Sequence, residues 1–300
     1  MRGEGNYNIL MDFLTRFTVN TTLLNPPSLQ LLFGNTPQAP AEHVMAALRA
    51  YHPDLAAATV EVVNVADVPG ADAVINGDGP SPIVLGLITW GKHIIKLVGF
   101  DAPMPASAVE GCLQPALLPA EVKADAKAHT SHILLYYAGS DENPLEQCVA
   151  LAAVAGVFGE FGSIVTLNEE ARAAVLSSDL LPDDPHEDML QVLRALPLPY
   201  LYTGFVKMLL TDIPGVWMRT FAASRFGLPN FAYHATDHSE GQATFGLFAA
   251  LLGYIREMKL PLEDGEQMRF DEDRVYRIRK PVVAEWWLES TGDLWVLERC

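Results

Sequence analysis

Cysteine is scarce. Cys112, Cys148 and Cys300 are the three in 300 residues, with no pairing framework and no metal-ligand spacing. Cys148 lies in an apolar helical stretch, where a thiol acts as a small hydrophobe, and this usage fits a reducing compartment. Cationic side chains are also few: 20 Lys and Arg stand against 37 Asp and Glu, a formal net charge of −17. Such a surface is repelled by nucleic-acid backbones and anionic membranes, so neither is expected as the main partner. No apolar run approaches the roughly 20 residues that span a bilayer. The start, MRGEGNYNILMDFLTRF, is broken by acidic and polar residues and does not read as a signal peptide. A cytoplasmic, soluble chain is expected.

Signatures of catalysis are missing as well. There is no G-x-S-x-G elbow, no H-E-x-x-H and no Cys-x-x-Cys. Gly70, Gly77 and Gly79 lie in a loop with no helix after them, so they form no dinucleotide fingerprint, and no Walker lysine occurs. Gly86 and Gly99 fall inside strand-like stretches, where glycine marks a bulge or close packing.

What is present is an apolar chain, 50% hydrophobic, long enough for a large core or two smaller ones. An offset of 97 residues aligns Ile133–Glu160 (ILLYYAGSDENPLEQCVALAAVAGVFGE) with Asn230–Glu257 (NFAYHATDHSEGQATFGLFAALLGYIRE). Tyr136 falls on Tyr233, Ala138 on Ala235, Ala152 and Ala153 on Ala249 and Ala250, Gly156 on Gly253, and Glu160 on Glu257. Each copy reads as strand, polar turn and helix. Asn143, Pro144 and Glu146 supply N-cap, first-turn proline and a near capping box in the first; Ser239 and Gln242 do so in the second. Gly156 and Gly253 are expected to allow equivalent close helix-to-sheet contacts.

Around these copies, a helix is expected over Ile9–Phe17, a strand at Leu29–Phe33, a helix over Ala41–Tyr51 and a strand at Thr59–Val65. Asp67–Pro82 reads as a loop. A hairpin follows, Ile83–Trp90 and His93–Phe100 about Gly91-Lys92, and then two short helices before Ala128. Later come a strand at Ser163–Leu167, helices over Glu169–Leu176 and Glu187–Leu196, strands near Tyr202–Leu210 and Val216–Ala222, a strand at Arg274–Arg279 and a hairpin over Val283–Glu298. The pattern is α+β: two related lobes from an internal duplication, with mainly antiparallel sheets packed by helices and ferredoxin-like local topology. The expected divisions are an extension at 1–27, a first lobe at 28–182 with an insertion near 101–128, and a second lobe at 183–300 ending in the hairpin. The hairpin, the HILLYY strand and the Gly/Ala-rich helix resemble a bacterial family of cytosolic proteins of unknown function, over roughly Leu29–Lys280. That resemblance implies no activity and no site residues.

Chemistry has few places to reside. His234, Asp237, His238 and Glu240 put two imidazoles and two carboxylates at a strand end, a donor set suited to zinc or another divalent metal. Asp237 and Glu240 equally suit a helix N-terminus, and the first copy has Tyr137, Asp141 and Asn143 at the positions of His234, His238 and Glu240. Only Asp264 and His186 suggest themselves as remote ligands. His129 and His132, three apart, fall on opposite faces of a regular strand and read as edge residues, as does His93. Arg274, Arg277, Arg279 and Lys280 follow Asp271-Glu272-Asp273 and read as locally compensated charge. Trp286, Trp287 and Trp295 are candidate contacts for a partner or for a second copy in a homodimer. The favoured reading is a non-enzymatic binding or regulatory module without a cofactor, whose partner is a protein or a small molecule. The alternative is a metal-dependent hydrolase built on residues 234–240.

Overall fold

Gly91-Lys92 sits between two runs of alternating apolar residues, and this local pattern builds the central hairpin of the first sheet: β3 (Val84–Trp90) and β4 (His93–Phe100) pair antiparallel, with Gly91 at φ +51°. The computed structural model describes residues 13, 15–17, 25–67, 80–184, 186–259, 261–271 and 274–300. The elements before the hairpin are β1 (Ser28–Phe33), α1 (Ala41–Tyr51) and β2 (Thr59–Asn64). After it come α2 (Ala106–Leu113), α3 (Ala120–Lys127), β5 (Ser131–Tyr137), α4 (Pro144–Gly159), β6 (Ser163–Asn168), β7 (Ala173–Leu176) and α5 (Met189–Ala195). The rest are α6 (Leu198–Leu201), β8 (Val206–Leu210), β9 (Ile213–Arg219), β10 (Asn230–Ala235), α7 (Gly241–Met258), β11 (Gln267–Arg269), β12 (Val275–Arg279) and β13 (Leu294–Arg299). The fold is α+β with two mostly antiparallel sheets, in the orders β2-β3-β4-β5-β1-β6-β7 and β11-β12-β13-β10-β9-β8. β10 and β13 run parallel.

The chain forms two compact units, one of residues 1–109, 118–167 and 176–195, the other of 110–117, 168–175 and 196–300. The chain thus passes between the units several times, the last time after residue 195, where a single passage at 182 was expected. Residues 189–195 form α5, which packs on α4, and Arg194 makes a bidentate pair with Glu146 at 2.9 Å. That pair also replaces the expected capping-box role of Glu146. Asn143 does cap α4, accepting the Leu145 N–H at 3.0 Å. Of the expected Ile9–Phe17 helix, residues 9–12 and 14 lie outside the described residues; Phe13 is buried and packs with Leu85 and Leu87. Most of the expected loop at Asp67–Pro82, with Gly70, Gly77 and Gly79, also lies outside them.

β1 lies between β5 and β6 and is antiparallel to both, so β5–α4–β6 is a split crossover. In the second unit β13 takes the place beside β10. Both units carry three successive antiparallel strands and then a helix, β3-β4-β5-α4 and β8-β9-β10-α7. They differ beyond it, and among the described residues neither reproduces a complete ferredoxin-like order.

Two segments differ from the sequence reading. Residues 169–176 are a turn and β7, not a helix: Asn168 Oδ1 accepts the Ala171 N–H at 3.1 Å, and Arg172 is left-handed at φ +53°. The C-terminal hairpin is absent; Val283–Leu288 is a 3-10 segment, and β13 pairs with β12 and β10. Glu285 turns back to accept the Val282 N–H at 2.9 Å and also receives Arg279, which holds the segment out of the sheet.

The aligned glycines are not equivalent. A Cβ on Gly156 would collide with the Leu180 carbonyl, which also accepts the Tyr51 hydroxyl at 2.6 Å, whereas Gly253 faces open space. Gly156→Ala is therefore expected to cost about 1–3 kcal/mol through overpacking. Gly253→Ala should be neutral or gain up to about 1 kcal/mol from helix propensity. Urea denaturation of the two variants checks this, and equal effects would contradict the packing described.

Candidate functional site

In the first unit the strand-interior glycines do not mark bulges. Gly86 pairs with Leu97 and Gly99 with Val84 in unbroken register. A Cβ at Gly86 would press on Leu97 Cβ at 3.3 Å, so close packing holds there, but one at Gly99 would make ordinary contact with Val84 at 3.5 Å. With no side chain at either position, the sheet surface lies bare. Above it is a cavity of about 490 Å³. Val60, Val62, Ile88 and Leu97 continue its floor, and Val44 of α1, Phe158 of α4 and the 36–40 segment complete the wall. The volume lies within the ordinary range for small-molecule pockets. Among the described lining residues none carries a formal charge; the polar ones are Thr36, Gln38, Asn64 and His132.

His132 borders this cavity at the end of β5, but the register pairs it with Phe100 and so turns its ring to the sheet face opposite Gly99 and Ile133. Its ring stacks on Phe100 with centroids 4.7 Å apart and planes 11° from parallel. Nδ1 lies 2.6 Å from the Ala102 carbonyl, which can only accept, so Nδ1 carries the proton. His129 is fixed similarly: Nδ1 donates to the Ala126 carbonyl at 2.7 Å and Nε2 accepts the Met104 N–H at 2.8 Å. The two histidines clip the 101–128 segment to β5, a role more specific than that of edge residues. His93 contacts the Tyr137 hydroxyl at 3.1 Å. Burial lowers the pKa of all three imidazoles; Asp141 and Glu146 oppose this at His93, and hydrogen bonds to Ala126 and Ala102 oppose it at His129 and His132.

The second unit scatters the expected metal donors. Asp237 Oδ1 accepts the Ser239 N–H at 2.7 Å, so Asp237 caps the turn, correcting the expected Ser239 cap. Glu240 accepts the Thr236 N–H at 2.6 Å and the Tyr233 hydroxyl at 2.9 Å; burial and this carboxylate raise the Tyr233 pKa to about 12. His234 stacks on Trp217 at 4.8 Å, and its Nε2 donates to the Pro214 carbonyl at 2.8 Å. His238 is exposed and offers its carbonyl to Lys207 Nζ at 3.2 Å. Asp264 accepts the Lys280 N–H at 3.1 Å, and the His186 N–H donates to Asp184 at 2.8 Å. Among the described residues no group of three or more His, Cys, Asp or Glu is placed to hold a metal ion.

The tryptophans part company. Trp295 is buried beneath Lys280 Nζ, 3.8 Å from the ring centroid. Trp287 packs edge-on to Trp217 at 6.0 Å. Trp286 is 70% exposed beside Val282 and Val283. Arg274 pairs with Asp271, Arg277 with Glu298, Arg279 with Glu285 and Glu298, and Lys280 with Asp293, while Glu272 and Asp273 lie outside the described residues.

The sequence reading missed Arg219. It is 1% exposed, donates to the Trp287 and Glu289 carbonyls at 3.4 and 3.1 Å, and lies against the Phe221 ring. Burial, and then Arg172, bring its pKa down to about 10. Nothing in the local sequence marks Arg219 as buried, because its carbonyl partners lie some 70 residues on.

A second apolar cavity, about 570 Å³, lies between α7 and β11–β12, with Leu251, Tyr254, Met268 and Tyr276 in its wall. No helix among the described residues is long and apolar enough to cross a membrane. No family model matches the chain, and neither a curated protein nor a solved structure matches it.

The buried histidines generate a pH dependence. A histidine whose folded pKa is depressed contributes stability that is fully present above its unfolded value, about 6.5, and is lost as pH falls toward the folded value. Glu61, Glu285 and Glu298 are held down chiefly by arginine hydrogen bonds, Asp188 and Asp237 chiefly by hydrogen bonds from Gln191 and Ser239, and the contribution of all five is lost only below the ordinary carboxylate values. Thermal unfolding at pH 7.5, 6.5, 6.0 and 5.5 should therefore show a progressive fall in Tm below about pH 6.5. His129→Gln should flatten part of that slope; an unchanged Tm across the series would contradict the neutral, buried assignment.

Proposed function

We propose that this protein is a non-enzymatic binding module whose first unit holds a small, uncharged, largely apolar molecule. The single observation that carries the reading is the bare stretch of sheet at Gly86 and Gly99 beneath a 490 Å³ cavity with no charged lining residue among those described. Glycine in a strand interior sacrifices packing and chain entropy. At Gly99 ordinary contact distances would accommodate a side chain, so steric exclusion does not account for its absence. Room for a ligand does. The local commitments of His234, Asp237, His238 and Glu240 favour structural roles for the acid–imidazole group over the hydrolase reading. Trp286, with Val282 and Val283, remains the candidate contact for a protein partner.

The fluorescence of Nile red, a neutral apolar dye, tests the reading. Wild-type protein should bind the dye, and Gly99→Val should weaken binding at least about tenfold by filling the cavity. The variant should keep or raise Tm, since a β-branched side chain suits a strand. Ala250→Leu, in the α7 cavity, should leave most of the signal. Loss of the signal in Ala250→Leu and not in Gly99→Val would contradict the assignment.

A further inference from the structure

We infer that the first-unit cavity takes a single-chain amphiphile of about ten carbons with an uncharged head, lying along β3 with the head at the Gly99 end and the tail at the Ile88 end. The inference rests on the reading of that cavity as a ligand site, and it adds the ligand's class, length and direction.

The strand register decides which residues form the floor. Asn64, Val84, Gly99 and Ile133 stand side by side across β2, β3, β4 and β5. Two residues along come Val62, Gly86 and Leu97, and two further along Val60 and Ile88. Paired residues share a sheet face and faces alternate along a strand, so these three rows form one surface, and all of their members line the cavity. The two ends of that surface differ. Asn64 belongs to the Gly99 row, and the Thr36 hydroxyl donates to Asp101, just beyond β4, which puts Thr36 at the same end. Gln38, Pro40, Asn64 and Ile83 are exposed, so this end is the mouth. At the other end Ile88 is buried and Val60 half-buried, and their row holds no polar residue.

The floor sets the length. From the Val84 row to the Ile88 row the strand advances about 13 Å, at about 3.3 Å per residue. An extended alkyl chain with bonds of about 1.5 Å advances about 1.3 Å per carbon, so about ten carbons cover that distance. At about 30 Å³ per non-hydrogen atom such a molecule fills about 350 Å³, inside the 490 Å³ present. Thr36, Gln38 and Asn64 offer a hydroxyl and two amides to a neutral polar head at the mouth. The Asn64 amide donates to Asp67 at 3.3 Å, and Thr36 to Asp101, which sets two carboxylates beside it. No Lys or Arg stands among the described lining residues, so a carboxylate head would meet like charge and find no counter-ion.

Isothermal titration calorimetry of the full chain with 1-hexanol, 1-octanol, 1-decanol and 1-dodecanol tests the inference. Affinity should rise about fourfold per methylene up to about ten carbons and then level off, because further methylenes stay in water. Gly99→Val should weaken every member of the series. Val60→Phe fills the tail end; it should bring the plateau down by about two carbons and leave hexanol unchanged. Independently of that variant's folding, the terminal methyl of 1-decanol on wild-type protein should show nuclear Overhauser contacts with Val60 and Ile88, and its carbinol methylene with Val84 and Ile133. Reversed contacts would overturn the direction. An affinity that climbs unbroken to dodecanol, yet is lost in Gly99→Val, would overturn the length while leaving the ligand site in place. Decanoate or decylammonium binding more tightly than decanol would overturn the uncharged head. No binding of any alkanol, or binding unaffected by Gly99→Val, would overturn the cavity reading itself, and the inference with it.

Discussion

Helix α4 has no polar face, and the first unit is arranged around that fact. Each residue from Gln147 to Phe158 is buried, so the helix requires apolar partners on every side. The sheet covers one side through β1, β4 and β5; α1, α5 and the 3-10 segment at Ser177–Leu180 cover the others. The close approach at Gly156, the Tyr51 hydroxyl on the Leu180 carbonyl and the Arg194–Glu146 pair are the contacts that close this enclosure. Near its end the helix presents Phe158 to the cavity, where the cover over the sheet is incomplete.

Helix α7 is the contrasting case. It buries Leu247, Phe248, Leu251, Leu252 and Ile255, a single stripe, and Gly253 faces open space. A one-sided helix needs no enclosure, and the strand beside β10 is supplied by the C-terminal end of the chain. Its unit carries an unusual internal cation instead. Arg219 Nη1 donates to the Trp287 and Glu289 carbonyls, at and just after the 3-10 segment that separates β12 from β13, and so ties that segment to β9, while its Nη2 is buried without a partner. The alignment at an offset of 97 residues thus joins two helices with different packing tasks.

What the sequence made legible is what local physics decides. The Gly91-Lys92 turn, the Asn143-Pro144 helix start, the two short helices between residues 101 and 128 and the α+β class all follow from spacing and turn chemistry within a few residues. Residues that act through distant partners were not legible. Ser239 and Asp237 are equally good caps on paper; the backbone chose Asp237 by placing its carboxylate on the Ser239 N–H. Val283–Leu288 has strand-like composition, yet Glu285 is drawn to Arg279 and to the Val282 N–H. His132 looks like an edge residue until the segment after β4 brings Ala102 to its ring. Gly86 and Gly99 were visible as oddities, but only the sheet register shows that the two lie in the floor of one cavity.

The account stands or falls on what occupies the space above those glycines. Diffraction from crystals soaked with 8-bromo-1-octanol, read at the bromine edge, addresses it directly. The account predicts one dominant anomalous peak over Gly86 and Gly99. A peak confined to the cavity beneath Tyr254 and Tyr276, or no peak at all, would contradict it.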